Sequence, residues 1–126
     1  MKTQKQNAII YCRADLNENT DEIFIINNQE RQIKNFCENR GFNVVKIFTD
    51  LTTNKNKTQP ELQNLKDFAM QSETTIDVVV CSGFDRIART FEKVLDVMIE
   101  FNKIGIDVIS VQQITNLNNK SNEQNN

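Results

Sequence analysis

The chain has 126 residues, a formal net charge of −2, 38% hydrophobic and 25% charged residues, and no histidine. That length suits one domain with a core of its own, and the slightly acidic balance argues against a broadly basic nucleic-acid-binding face, so any DNA contact has to be local. The lack of imidazole argues against a zinc centre or a Ser-His-Asp enzyme, so no metal or cofactor is expected; with no signal peptide and no apolar run near the roughly 20 residues of a membrane span, the expected compartment is the cytoplasm.

Residues 8–12, Ala-Ile-Ile-Tyr-Cys, are short, apolar and β-prone, and they run straight into Arg13. They read as a buried strand that ends in a polar cluster. From about Asp21 to Arg40, Ile23, Ile26, Ile33, Phe36 and Cys37 recur among polar residues, and Gly41 follows where a left-handed helix cap would fall. This predicts an amphipathic helix. Residues 42–48 predict a second strand, and the polar stretch 49–58 a mobile loop.

Pro60 stands where a helix tolerates proline, in its first turn, and Leu62, Leu65, Phe68 and Ala69 continue at helical spacing to about Ser72. Residues 76–81 are the most hydrophobic strand, and like the first they end in a charged cluster, Asp85-Arg86-Ile87-Ala88-Arg89. A third helix follows with Phe91, Val94, Leu95, Met98 and Phe101 expected inward and Gly105 as its stop. Residues 106–111 predict a fourth strand. Cys12, Cys37 and Cys81 lack metal-ligand spacing, sit in apolar segments and read as small core residues. Residues 1–115 are expected to form the domain, and the Asn-rich stretch 116–126 a disordered tail.

This alternation predicts an α/β fold, a mainly parallel sheet of four to five strands with helices on both faces. In such folds the functional crevice lies at the carboxyl ends of the strands, so Arg13, Asp15, Asp85, Arg86 and Arg89 are predicted to converge just beyond two strand ends. Three guanidiniums suit a phosphate, because each offers a permanent charge and bidentate hydrogen bonding. A receiver-like or nucleotide-binding α/β domain fits less well. No acidic pair ends the first strand, Asp77 begins its strand, and neither Gly-x-Gly-x-x-Gly nor a Walker pattern is present.

Tyr11-Cys12-Arg13, Gln29, Phe48-Thr49-Asp50, Gln59-Pro60-Glu61-Leu62 and Asp85-Arg86-Ile87-Ala88-Arg89 follow one another in the order and approximate spacing of serine recombinase catalytic domains. Over about residues 7–115 the chain resembles this resolvase/invertase family, from a mobile element or phage. The resemblance implies metal-free DNA strand breakage and rejoining through a serine that attacks a phosphodiester, leaving a 5′-phosphoserine and a free 3′-hydroxyl. It assigns Arg13, Arg86 and Arg89 to stabilising the phosphoryl charge, Asp85 to orienting them, and Tyr11 and Gln29 to support of the same pocket. DNA is the implied partner, with assembly as a homo-oligomer or with an intact recombinase.

Two positions depart from the family pattern. Tyr-x-Arg-x-Ser becomes Tyr11-Cys12-Arg13-Ala14-Asp15, so an aspartate stands at the nucleophile position, and Gln59 stands where the family has an arginine. Attack by a carboxylate would give an acyl phosphate prone to hydrolysis. Cys12 and Thr20 are the nearest other nucleophiles, but Cys12 is expected to point into the core, opposite Tyr11 and Arg13. The family also continues into an interface helix and a DNA-binding domain, where this sequence has its Asn-rich stretch, so weak DNA affinity is expected. The expectation is a recombinase catalytic-domain homologue with impaired catalysis in which Asp15 substitutes internally for the phosphate. The alternative is a non-enzymatic module that binds or modulates an intact recombinase.

Overall fold

The computed structural model describes residues 5–16 and 21–112. Within them seven main elements alternate in type: β1 (Asn7–Asp15), α1 (Glu22–Arg40), β2 (Asn43–Thr52), α2 (Pro60–Gln71), β3 (Val78–Cys81), α3 (Phe91–Lys103) and β4 (Asp107–Ser110). A single 3-10 turn, Phe84–Arg86, bridges β3 and α3. The four strands form one sheet in the order β2-β1-β3-β4, and every neighbouring pair is parallel. This is the predicted fold class, with four strands among the described residues.

The strand sequences explain why both faces are covered. Alternate residues of β1 point to opposite sides. Ile9 and Tyr11 join Val79, Cys81 and Val108 in a core closed by Leu62 and Leu65 of α2 and by Val94 and Phe101 of α3. Ala8, Ile10 and Cys12 join Val78 and Val80 in a second core, closed by Ile33 and Cys37 of α1. A strand buried on both faces reads as a continuous apolar run, which is what residues 8–12 are.

Asp21 caps α1 by accepting from the Phe24 N–H, and Gly41 ends it at φ +72°, where the Gly41 and Phe42 N–H groups return to the carbonyls of Glu38 and Cys37. Only a residue without Cβ holds that left-handed geometry cheaply. Thr90 caps α3 through the Lys93 N–H.

Several expectations need correction. β1 runs to Asp15 and β2 to Thr52, because they stay in register past the apolar run, with Arg13 opposite Asp50 and Asp15 opposite Thr52. Arg13 and Asp15 therefore belong to the strand itself. Residues 49–52, expected in a loop, are strand, and a turn beyond them is tied by Asn56 to Thr53 and Thr58. Ile23, expected on the buried face of α1, is 68% exposed; it lies beside Thr49 and Leu51 of β2, beyond which no further strand lies among the described residues.

Phe91 and Leu95, expected inward, are 76% and 41% exposed. The helix packs on β4 at the other edge of the sheet, and the stripe through Val94 and Phe101 takes that contact. Phe91, Leu95 and Ile99 form the adjacent stripe, which is left exposed. All three cysteines are buried and free, as core residues. Thr20 and the tail 116–126 lie outside the described residues. None of the described helices is long and apolar enough to cross a membrane.

Candidate active site

The sheet order reverses direction at β1, whose chain leaves to β2 on one side and later returns to β3 on the other. Such a switch point opens a crevice at the carboxyl ends of the two central strands. Pairing between β1 and β3 stops at Ile10 and Val80, so beyond Ile10 the β3-facing side of β1 has no strand partner among the described residues. Gln29 of α1 supplies one. Its Oε1 accepts from the Arg13 N–H at 3.2 Å and its Nε2 donates to the Arg13 carbonyl at 2.7 Å. A buried backbone without partners costs about 1–3 kcal/mol per group, which accounts for a buried glutamine here.

Arg13 is 2% exposed and its guanidinium lies among Gln59, Asp15 and the two other arginines. Its Nη1 reaches Gln59 Oε1 at 3.5 Å. Its Nε lies 3.2 Å from Asp15 Oδ1, yet the approach is not aligned for a hydrogen bond, so that buried N–H is left without an acceptor. Burial pulls the Arg13 pKa below its ordinary value, and the neighbouring Asp15 opposes that shift. An arginine remains charged through such a shift.

Asp15 is the centre of the cluster. Besides Arg13, its carboxylate lies 3.4 Å from Arg89 Nη2 and 3.9 Å from Arg86 Nη1, and it accepts a hydrogen bond from the Thr52 hydroxyl. Arg89 Nη2 also donates to Thr52 Oγ1 at 3.2 Å. Burial pushes the Asp15 carboxyl up, but the Thr52 hydrogen bond and the fields of Arg13, Arg89 and Arg86 outweigh it and hold the group below the usual carboxylate range. Arg86 also donates to the Arg13 carbonyl at 3.3 Å and to Asp85 Oδ2 at 3.2 Å. Asp85 itself is largely exposed and pairs with Arg86, with no ion pair to Arg13 among the described residues.

Below the arginines a second network fixes the floor. Tyr11 donates to Asp50 Oδ2 at 2.7 Å and accepts from Gln59 Nε2 at 2.9 Å. Burial first, then the Asp50 hydrogen bond, push the Tyr11 phenol far up, so it stays protonated and donating. Asp50 also accepts the N–H groups of Glu61 and Leu62 at 2.9 and 3.0 Å, the open end of α2, whose own cap residue Gln59 provides no such bond. Gln59 Nε2 donates to the Ile87 carbonyl at 2.9 Å. A neutral side chain thus occupies a position that faces the buried Arg13.

Tyr11, Arg13, Asp15, Gln29, Gln59, Arg86 and Arg89 are therefore brought into one connected group, with Asp85 at its margin. Sequence reasoning missed Thr52, which binds Asp15, and the capping role of Asp50. The hydrophobic pattern ends the strand at residue 48 and so marks neither of them. They alternate on a strand that pairs in register with Arg13 and Asp15. Among possible nucleophiles, Cys12 is fully buried in the opposite core and burial pushes its thiol up to about 12, which leaves it protonated and inert. The Thr52 hydroxyl is fully buried behind Asp15 and Arg89.

Chemically, the cluster is a set of positive charges gathered on one negative charge of the chain itself. Three guanidiniums surround one side-chain carboxylate, with a buried N–H still unpaired. Beside it a crevice of about 470 Å³ opens between α1 and the ends of β1 and β3, lined by Asp15, Ile25, Asn28, Gln29, Gln32, Ser82, Arg86 and Gln112. Among the described residues no cluster of metal-ligating side chains occurs.

The family model for the resolvase N-terminal domain matches residues 8–125. The fold is similar to the N-terminal catalytic domain of TP901-1 integrase, with a TM-score of 0.72, 25% identity, and coverage of 86% of this chain and 79% of that one. It is also similar to a resolvase family site-specific recombinase from Streptococcus pneumoniae, with a TM-score of 0.73, 16% identity, and coverage of 86% and 74%. The C-terminal catalytic domain of ISC1926 TnpA, an IS607-like serine recombinase, gives a TM-score of 0.69 at 22% identity over 83% of this chain and 67% of that one. No curated protein matches the sequence.

Proposed function

This chain belongs to the resolvase N-terminal domain family, and we propose that it is a serine recombinase catalytic-domain homologue in which Asp15 occupies the place of a DNA phosphate and strand transfer is impaired. The observation that carries this reading is the ion-pair set around Asp15. One carboxylate at the nucleophile position lies within 3.9 Å of all three arginines assigned to the phosphate. A phosphodiester entering the cluster has to displace that carboxylate or sit beside a like charge. Either costs binding free energy that an uncharged serine hydroxyl would not.

Gln59 reinforces the impairment. A guanidinium at that position would add a donor to the transition-state charge, and removal of one such donor typically costs about 100- to 1,000-fold in rate. DNA is the proposed partner, bound weakly by the domain of residues 1–115. A second reading, a non-enzymatic module that docks on an intact recombinase, is favoured by the exposed apolar stripe Phe91, Leu95 and Ile99.

The test replaces Asp15 by asparagine, which keeps shape and removes charge. Inorganic phosphate is expected to raise the Tm of Asp15→Asn by about 4 °C or more while leaving wild type almost unmoved. Equal shifts in both proteins would show that Asp15 does not guard an anion site. Wild type incubated with supercoiled DNA is expected to give no protease-resistant protein–DNA adduct, and the appearance of one would refute the impairment.

A further inference from the structure

We infer that the crevice beside the arginine cluster is a nucleobase site, which takes the base of a nucleotide whose phosphate lies on Arg13, Arg86 and Arg89. The inference rests on the phosphate reading above and adds a ligand class to it. The arginine cluster lies mainly on the α2 and α3 side of the sheet end, as the alternation of Tyr11, Arg13 and Asp15 along β1 requires. The crevice extends from it to the α1 side, through the gap where β1 and β3 part. Asp15 and Arg86 belong to both, so a ligand can bridge them.

The lining sets the chemistry. Away from Asp15 and Arg86 its described lining carries no charge: Asn28, Gln32 and Gln112 present carboxamides, Ser82 a hydroxyl, and Ile25 an apolar wall. No side-chain hydrogen bond engages the amides of Asn28, Gln32 or Gln112 among the described residues, unlike that of Gln29, which is spent on Arg13. A carboxamide offers a donor and an acceptor side by side, the pattern displayed by the edges of nucleobases. A second charged group would find no counter-ion there, and a purely apolar one would leave the polar lining unpaired. A neutral heterocycle with donors and acceptors fits both limits.

One end of the ligand is set independently by Arg13 Nε, a buried donor with no aligned acceptor, next to Asp15. Charge at one end and a neutral hydrogen-bonding ring at the other describe a nucleotide. In a DNA setting the base has to leave the stack to enter, which favours single-stranded or distorted substrate. At Gly83 a Cβ would lie 2.5 Å from Asp85 Oδ1 and 2.8 Å from Gln112 Oε1, so a side chain there would have to displace Gln112 of the lining and Asp85.

The experiment titrates the full-length Asp15→Asn chain with inorganic phosphate, deoxyribose 5-phosphate and the four deoxynucleoside 5′-monophosphates. Binding is read by calorimetry and by the side-chain amide resonances of Asn28, Gln32 and Gln112. At least one mononucleotide is expected to bind about tenfold or more tighter than deoxyribose 5-phosphate and to shift those resonances. Adding Asn28→Ala and Gln32→Ala, both exposed positions whose loss leaves the core intact, is expected to erase that advantage while phosphate affinity stays unchanged. Mononucleotides that bind no tighter than deoxyribose 5-phosphate, or an advantage that survives the two alanines, would overturn the base site alone. Failure of phosphate itself to bind Asp15→Asn would instead overturn the anion reading on which it rests.

Discussion

Asp15 is held by four neighbours at once, Thr52 and three arginines, and that arrangement ties a residue-scale substitution to both stability and pH. Its folded pKa is lowered, so its ionised form is favoured by the fold. Linkage gives the sign. The stabilisation is fully present above the unfolded carboxyl value of about 3.9 and is lost as pH falls through the lower folded value. Urea midpoints of wild type and Asp15→Asn are therefore expected to differ at pH 7 and to converge towards pH 3. A gap that is unchanged at pH 3 would mean that Asp15 acts through shape and not charge. The substitution itself was legible from Tyr11-Cys12-Arg13-Ala14-Asp15, whereas the Thr52 partner was not, because it follows from strand register and from a strand end that the hydrophobic pattern placed at residue 48.

Between elements, the β2-to-α2 connection shows how a strand residue can do a helix's capping. Pro60 starts α2 and Gln59 leaves the first N–H groups of the helix uncapped, so Asp50 reaches across from β2 to accept two of them while also taking the Tyr11 hydroxyl. Asp50→Ala removes a cap worth about 1 kcal/mol and strands a buried phenol donor at a further cost of about 1–3 kcal/mol. A loss of roughly 3 kcal/mol in chemical denaturation is expected, against nearly none for an exposed control such as Leu51→Thr. A loss below about 1 kcal/mol would show that water replaces the carboxylate at the helix end. Helix positions themselves were readable from period and from the stops at Gly41 and Gly105. Which stripe of α3 faces inward was not, because Phe91 and Val94 have the same hydrophobic character and only the helix's seat over the sheet edge separates them.

For the whole molecule, the order β2-β1-β3-β4 decides which distant residues meet, and it brings the β1 end and the segment after β3 to one switch point. Convergence of Arg13 with Arg86 and Arg89 at a strand-end crevice was deducible from that topology, but the lining of the crevice was not, since Asn28, Gln32, Ser82 and Gln112 carry no sequence signal that separates them from ordinary polar surface. The same topology makes the two departures at Asp15 and Gln59 part of one cluster, linked through Arg13 on one side by an ion pair and on the other by a 3.5 Å contact. Their effects on chemistry are therefore coupled, as neighbouring sites in one network generally are. On the proposed reading, Asp15→Ser frees the arginines and supplies a hydroxyl but leaves Gln59 in place, while Gln59→Arg alone adds charge to a site still closed by Asp15. The double variant Asp15→Ser, Gln59→Arg is expected to form at least about tenfold more covalent adduct on supercoiled DNA than Asp15→Ser, and Gln59→Arg none. Equal adduct from the single serine variant would mean that Gln59 does not limit the chemistry, and no adduct from the double would refute the proposal that these two residues account for an impairment. Additive gains from the two changes would dissolve the coupling that the shared contacts of Arg13 imply.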